Sequence, residues 1–445
     1  MRFALAAVGT ICVAATALFA QGEQPLPAGV WRTDGYGYVL KVGADKLAIF
    51  DETAEACLLN TVLEGAEAHE WIGTATVAPD SKGATLHAGI TRIGVTLLAA
   101  LPARCKPASE DRDPLRNFDH LWTTFDEHYA FFKIRNTNWN ALRQEFRPQA
   151  AAAKSPEQLF EVFSAMLARL KDAHVSLTAG ESKFKAERSP EPTTPGPDGV
   201  LATRKGLQRA LKDYVAGPGT PLLKPATPTA RNRVWYGELK GKIGYVVVFA
   251  MGGYEDDDVT AQDHTASAHR VFQEIAHAFK DVRGVIVDLR TNQGGYDTVS
   301  LELVGLFAER PGIAFKKRTH RAATPTYAVP LAPSAPLRLA KPVAVLISEH
   351  TVSAAETATT AFRTLPNAIL IGQPTQGALS DVLEKTLPNG WRFTLSNEIF
   401  ETPDGTIPEG PGIAPHIATN VPAATKTSAE RFQPDIDEAL RALKR

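Results

Sequence analysis

The sequence predicts an α/β fold, in which a core of strands and helices follows a small β domain and a helical domain. Three apolar runs, at 243–248, 284–289 and 343–347, lack polar alternation, which is typical of strands covered on both faces. A stretch with helical character lies between the first two, at 265–279, so strand and helix alternate along the chain. This alternation predicts an α/β core over residues 233–425.

The chain begins with a stretch typical of a secretory signal. One arginine is followed by an apolar, alanine-rich run that extends to residue 20, which predicts cleavage after Ala17 or Ala20 and a secreted or periplasmic protein. Cys12 has no small residue before it, which argues against a lipoprotein. A retained anchor is less favoured because the run is near the lower limit of ~17 residues for a membrane span.

A small antiparallel β domain is predicted for residues 27–107. Short alternating segments, such as 36–42 and 46–50, are broken there by Gly and Asp. Cys57 and Cys105 both lie in this domain. A disulfide is the first interpretation in an oxidising compartment, and two buried thiols are the alternative, because sequence does not show whether the Cα atoms approach each other.

Helical spacing then predicts a helical domain over 113–185. Its second helix is expected to start at Ser155, an N-cap followed by proline, and the domain ends in an extended stretch after His174. The first apolar stripe consists of Phe118, Leu121, Trp122 and Phe125. Residues 186–232, rich in Pro, Thr and Gly, predict a surface excursion or linker, and 426–445 a C-terminal helical tail.

The charge balance excludes little but indicates no polyanionic partner. Lys plus Arg number 48 against 49 Asp plus Glu, which favours neither nucleic acid nor an anionic membrane surface. The cysteine spacing fits no metal site, and no cofactor is expected. The oligomeric state is not indicated.

One serine stands at a turn between a predicted strand and a predicted helix. Ser353 follows the run 343–347 and precedes a helix that begins near Ala354. Unpaired backbone N–H groups and the helix dipole stabilise a developing oxyanion there, so Ser353 is a candidate nucleophile. Serine is also a favoured N-cap, and a purely structural role is the alternative.

A serine nucleophile needs a base, a group that orients the base, and oxyanion donors. Gly294 and Gly295 follow a strand end, where either could share an oxyanion hole with the Ala354 amide, or simply form a tight turn. His174 is the candidate base, because imidazole titrates near neutral pH, and a structural histidine is the alternative. Glu409 could orient His174, or be a solvated loop carboxylate.

Four segments, in this order, resemble peptidase family S41, which includes the carboxy-terminal processing proteases and the tricorn core protease. They are DLRTNQGG (288–295), SAAE (353–356), IGQPT (371–375) and the late loop with PDG and GPGIAP (403–415). The resemblance covers about residues 235 to 420. It implies a ClpP/crotonase-like α/β core with Ser353 as nucleophile. LKDAH (170–174) resembles the histidine-ending segment of the family's helical domain, and 29–38 resembles an N-terminal module of some secreted members.

The branches of this family differ in their base. The processing proteases use a lysine from a Gly-Lys-Gly segment, and that slot reads Gly377-Ala378-Leu379 here, so the lysine mechanism does not carry over. The tricorn-like branch uses a histidine, a late-loop glutamate and a serine that bridges them. His174 and Glu409 match two roles, whereas Ala173 occupies the bridging position. Water, Ser176 or direct contact would then link the glutamate to the histidine.

The resemblance therefore implies a serine endopeptidase or oligopeptidase, without cofactor, that acts on a peptide or protein substrate. Ser353 would attack the carbonyl, His174 would take its proton, and Gly294 or Gly295 with Ala354 would stabilise the oxyanion. A second interpretation is a binding protein for a peptide or apolar ligand that has kept this core and lost turnover. A third is hydrolysis of another ester or amide, because the same machinery attacks any acyl group.

Overall fold

The computed structural model describes residues 23–106, 111–186, 204–256, 260–321, 323, 325–421 and 427–444. The predicted signal segment lies outside these residues. The predicted α/β class, with a helical domain and a small N-terminal β domain, is confirmed. Within the described ranges, no helix is long and apolar enough to cross a membrane.

The N-terminal domain is built on an eight-stranded sheet. Its elements are β1 (Gly29–Thr33), β2 (Tyr38–Val42), β3 (Lys46–Glu52), β4 (Cys57–Glu64), α1 (Gly65–Ile72), β5 (Thr74–Val77), β6 (Gly83–Ala88), β7 (Thr91–Leu98) and β8 (Cys105–Lys106). The order is β5-β6-β7-β1-β2-β3-β4-β8, and only the β4–β8 pair is parallel. Cys57 and Cys105 face each other across that pair and form a disulfide, as the first interpretation expected.

The helical domain contains α2 (Pro114–His128), α3 (Trp139–Ala152), α4 (Pro156–Ala168), β9 (Ser176–Ala179) and β10 (Ser182–Lys185). Its helices begin at side-chain caps that satisfy backbone N–H groups. The Asp113 side chain accepts from the first turn of α2, and the Ser155 hydroxyl accepts from Gln158 N–H at the start of α4. The stripe that includes Phe118 and Phe125 is fully buried, so the periodicity marks a core face.

The third region is a layered α/β core. Its elements are α5 (Arg204–Ala216), β11 (Thr227–Thr229), β12 (Val234–Leu239), β13 (Ile243–Val248), α6 (Ala261–Ala278), β14 (Gly284–Asp288), α7 (Asp297–Gly305), β15 (Gly312–Thr319), β16 (Tyr327–Leu331), β17 (Val343–Ile347), α8 (Ala354–Arg363), β18 (Ala368–Gly372), β19 (Val382–Thr386), β20 (Arg392–Ser396), β21 (Glu398–Glu401), β22 (Ile417–Ala418) and α9 (Ser428–Ala442). The central sheet has the order β11-β12-β13-β14-β17-β18-β22, and its strands from β13 to β22 are parallel.

Helices cover both faces of this sheet, which explains why its strands are apolar without alternation. Val343, Val345 and Ile347 of β17 pack with α6, α7 and α8, whereas Ala344 and Leu346 pack with α5 and α9. Successive residues of a strand point to opposite faces, so a strand between two helical layers needs apolar residues at every position.

Long-range packing crosses the predicted domain boundaries at three points. Within the predicted linker, α5 buries Leu207 and Leu211 in the core, and the predicted tail forms α9, which packs on the same face. The β19–β20 hairpin leaves the central sheet and pairs through β20 with β9, giving the order β10-β9-β20-β19. This hairpin ties the helical domain to the core. A further sheet has the order β16-β15-β21.

Candidate active site

Ser353 stands at a strained turn after β17 and before α8. Its backbone has φ +58° and ψ −130°. A residue with a side chain rarely adopts a positive φ, and such outliers persist where the surrounding structure enforces them, often at functional sites. A sharp, strained strand-to-helix turn is also how α/β hydrolases present a serine nucleophile.

Glu356 fixes this turn through a buried carboxylate. Its Oε2 accepts from the N–H groups of Ser353 (3.1 Å) and Ala378 (2.9 Å). Its Oε1 accepts from Gly377 N–H and the Thr375 hydroxyl, both at 2.7 Å. Burial raises the pKa of Glu356, and these four donors oppose that rise. The segment that follows β18 is thereby bonded to the first turn of α8.

The glycine pair meets the Ser353 turn because β14 and β17 are adjacent parallel strands, whose carboxyl ends share one edge of the sheet. A Cβ atom on Gly294 would lie 2.7 Å from Ser353 Cβ, so the two backbones approach each other only because this residue is glycine. Its N–H donates to Asn292 Oδ1 at 2.8 Å and is already used.

Two other N–H groups remain available at the turn. Those of Gly295 and Ala354 donate to no protein acceptor among the hydrogen bonds of the described residues. Gly295 is exposed, whereas Ala354, the first residue of α8, is buried. Unpaired N–H groups beside a serine can stabilise an oxyanion. Of the two glycines considered from the sequence, Gly295 therefore has the free donor.

His174 lies in the turn between α4 and β9. Ala173 packs against Val352 and Ala378, which brings this turn against the nucleophile segment. His174 N–H donates to Asp172 Oδ1 at 2.9 Å, and the carbonyl accepts from the Thr394 hydroxyl at 2.6 Å. The backbone of His174 is therefore held from both sides.

The imidazole of His174 is kept neutral by its surroundings. Burial lowers its pKa, and the positive charges of Lys185 and Arg135 add to this effect, whereas Asp172 and Asp381 oppose it. Nδ1 is buried and has no hydrogen-bond partner among the described residues. Ser176, considered from the sequence as a bridge, bonds to the Thr394 hydroxyl at 2.7 Å.

Glu409 is buried, with both oxygens engaged. Oε2 accepts from the N–H groups of Leu379 (2.7 Å) and Ser380 (3.2 Å), and Oε1 accepts from Arg135 at 2.6 Å. Burial, reinforced by the Asp172 carboxylate, raises the pKa of Glu409 to about 8, and the Arg135 guanidinium opposes the rise. None of these bonds joins Glu409 to His174, so its predicted role as orienting partner stays a prediction.

Two residues of this network were missed in the sequence. Arg135 lies between α2 and α3, outside every recognised motif, and only the folded chain brings it to Glu409. Asp172 precedes His174 by two residues, a spacing at which an Asp side chain can accept a backbone N–H, and this signal was present in the sequence.

A cavity of about 610 Å³ opens beside Gly295. Trp71 of the β domain lines one wall, and Asp297 and Asp381 of the core line another. Asp381 pairs with the buried Lys317 at 2.5 Å, and burial together with Asp381 raises the pKa of Asp297 to about 7. Gly295 is the candidate site residue that lines this cavity, and Ser353 and His174 are not among the lining residues. Over the described part of the chain, no cluster of His, Cys, Asp and Glu could hold a metal.

Two regions of the chain are similar to known protein families. Residues 242–419 match the family model for peptidase family S41, and residues 111–168 match that for the tricorn protease C1 domain. The S41 match covers most of the α/β core, which contains the candidate nucleophile. The S41 match contains Ser353, both glycines and Glu409, whereas Arg135 lies in the C1 match. No curated protein matches the sequence.

Solved structures share the fold of this chain at low sequence identity. A candidate peptidase from Parabacteroides merdae ATCC 43184 aligns with a TM-score of 0.60 and 22% identity over 75% of this chain and 97% of its own. Mature CPAF aligns with a TM-score of 0.56 and 12% identity, over 75% of this chain and 96% of its own. CPAF complexed with lactacystin aligns with a TM-score of 0.53 and 13% identity, over 75% of this chain and 98% of its own. At sequence identities this low, the similarity shows a shared fold and nothing more specific.

Proposed function

We propose that this S41 protein is a secreted or periplasmic serine peptidase in which Ser353 is the nucleophile and His174 the general base. The observation that carries the proposal is the strained Ser353 turn, flanked by the unpaired N–H groups of Gly295 and Ala354. The Cys57–Cys105 disulfide supports an oxidising compartment, in line with the signal-like N-terminus.

In the proposed reaction, Ser353 Oγ attacks the peptide carbonyl carbon while its proton passes to His174. The carbonyl oxygen becomes an oxyanion, which the N–H groups of Gly295 and Ala354 stabilise. His174 then protonates the leaving amine as the C–N bond breaks, and water hydrolyses the acyl-enzyme. The low pKa of His174 keeps the imidazole able to accept a proton at neutral pH.

One observation favours the alternative of a weak or inactive binding protein. His174 Nδ1 has no acceptor among the described residues, and the Glu409 oxygens are bonded elsewhere. An imidazolium formed during catalysis would therefore lack a direct carboxylate partner in this arrangement.

Labelling with a fluorophosphonate probe separates the two functions. The parent is expected to be labelled at Ser353, with no labelling of Ser353→Ala and at least 100-fold slower labelling of His174→Ala, about the contribution of a general base. Peptide-library cleavage by the parent would then distinguish a peptidase from an esterase. An unlabelled, folded parent would favour the binding protein, and His174→Ala labelling at the parent rate would refute the mechanism.

A further inference from the structure

The His174 turn and the nucleophile segment come from different parts of the chain, and one cationic side chain joins them. We propose that Arg135 is a positioning residue of this site, which holds the His174 turn at working distance from Ser353. The inference rests on the proposed function, that Ser353 and His174 act together. The Arg135 side chain is 6% exposed and lies between the helical domain and the core.

On the core side, Arg135 contacts the segment that supports the nucleophile. Its Nη2 donates to Glu409 Oε1 at 2.6 Å and to the Gly377 carbonyl at 3.1 Å. The next carbonyl, that of Ala378, accepts Ser353 N–H at 3.0 Å. One residue therefore separates the Arg135 contact from the backbone bond to the serine.

On the histidine side, Arg135 faces Asp172. Its Nη2 lies 3.9 Å from Asp172 Oδ2, an oxygen that also accepts from the Tyr129 hydroxyl at 2.8 Å. The other oxygen, Oδ1, accepts His174 N–H at 2.9 Å. A continuous series of contacts thus runs from the backbone of the base to the backbone of the nucleophile.

The charges explain why a cation is needed at this junction. Glu409 belongs to the late loop and Asp172 to the His174 turn, and both side chains are almost fully buried. Burial and the Asp172 carboxylate raise the pKa of Glu409, and the Arg135 guanidinium opposes that rise, so Arg135 favours the charged form of Glu409 and attracts both segments. A planar guanidinium can donate to several acceptors at fixed angles, which the compact ammonium of lysine cannot reproduce.

The experiment compares Arg135→Gln and Arg135→Lys with the matched control Arg147→Gln. Arg147 makes a two-point pair with Asp119, at 2.9 and 2.8 Å, in the same helical domain but with a side chain 42% exposed. Arg135→Gln is expected to lower kcat about 100-fold, the cost of misplacing catalytic groups by about 1 Å, with KM little changed. Arg147→Gln should keep the parent kcat.

The pH profile separates positioning from a loss of folded protein. Arg135 contributes to the low pKa of His174, together with Lys185 and against Asp172 and Asp381. Loss of its charge should therefore move the acid limb of kcat/KM to higher pH. Arg135→Lys keeps the charge and should leave the limb in place, while it recovers only part of kcat.

Folded Arg135→Gln with the parent kcat and acid limb would overturn the inference, as would activity lost only in proportion to unfolded protein. If Arg135→Gln does not fold, the kcat of Arg135→Lys tests the inference instead. A lower kcat at an unchanged folded fraction supports the inference, and the parent kcat overturns it. Failure of the proposed function is distinct, because the folded parent would then not be labelled at Ser353 by a fluorophosphonate.

Discussion

The Ser353 turn and the His174 turn, the two halves of the candidate site, are held in place by different sets of contacts. The serine is held by groups close to it in sequence: Glu356 on the same helix, and Gly377 and Ala378 after the next strand. The histidine is held by Asp172 beside it, but also by Thr394 on a distant hairpin. The half around the proposed nucleophile (the nucleophile half) is thus built within the α/β core, whereas the half around the proposed base (the base half) depends on docking of the helical domain.

This difference has a consequence for stability. The nucleophile turn carries backbone strain that a dense set of local hydrogen bonds maintains. The base half contains buried ionisable groups, whose balance changes with pH and with single substitutions. Substitutions in the two halves should therefore have different effects. In the nucleophile half we expect a loss of the chemical step, and in the base half a loss of alignment between His174 and Ser353 or of stability at changed pH.

The largest effect is expected from Ser353→Ala. Without the hydroxyl, kcat should fall on the order of 10⁵-fold or more, the scale for loss of a serine nucleophile, because no covalent intermediate forms. Steady-state hydrolysis of the best library peptide measures this loss. The folded state should persist, since the Ser353 backbone is held by Glu356 and by the Ala378 carbonyl. Retention of more than a hundredth of the parent kcat would assign the chemistry to another residue.

A second prediction concerns Glu356→Gln. The carboxylate accepts four donors, and the NH₂ of a glutamine would face some of them, which leaves buried N–H groups unpaired. The free energy of unfolding should fall by about 1–3 kcal/mol, the cost of a buried donor left unsatisfied, and labelling of Ser353 should slow. Urea denaturation measures the first effect. Glu384→Gln is the control, because Glu384 is 53% exposed, and a loss there as large as at Glu356 would contradict the account.

A third prediction uses a buried histidine on the base side. Burial lowers the pKa of His120, on α2, to about 4, so the folded protein keeps it neutral where the unfolded chain protonates near 6.5. The unfolded state then binds more protons, and this residue destabilises the fold progressively as pH falls from about 6.5 to 4.

Relative to the parent, His120→Leu should therefore gain about 1.4 kcal/mol per pH unit across that window. The buried carboxyls with raised pKa values, such as Glu398 at about 8, affect both proteins alike and cancel in the difference. Urea denaturation at pH 7, 6 and 5 measures the difference. A difference that is flat with pH, or of opposite slope, would contradict the burial of a neutral imidazole.

The smallest expected effect is on backbone strain at the nucleophile. Glycine adopts positive φ without the steric cost that alanine incurs, so Ser353→Gly should be about 1 kcal/mol more stable than Ser353→Ala. Thermal unfolding of the two inactive variants measures the difference. Equal stability, or a more stable alanine variant, would mean that the turn relaxes in the absence of the hydroxyl.

Sequence patterns predicted the core well because its signals are local. The parallel strands β13, β14, β17 and β18 each appear as a short apolar run, and Ser353 lies in the turn that follows β17. Long-range contacts were not predicted: α5 lies in a Pro-rich stretch, and the β19–β20 hairpin, inside the core sequence, pairs with β9. No local pattern encodes such a pairing.

In the candidate site, too, the features encoded locally were predicted from the sequence, and those that depend on long-range contacts were not. The Ser353 turn and the glycine pair were found from motifs, although only the structure distinguishes the engaged N–H of Gly294 from the free one of Gly295. Arg135 was not found, because its partners lie far away in sequence, and its charge alone resembles that of any surface arginine.

We propose that Ser353, His174 and the N–H groups of Gly295 and Ala354 form one catalytic arrangement. A crystal structure of the protein after reaction with a peptidyl phosphonate tests this arrangement. We expect a covalent bond to Ser353 Oγ, a phosphonyl oxygen about 3 Å from the N–H groups of Gly295 and Ala354, and the His174 imidazole beside the adduct. An adduct whose oxygen contacts neither N–H group, or a His174 ring turned away from it, would refute the arrangement.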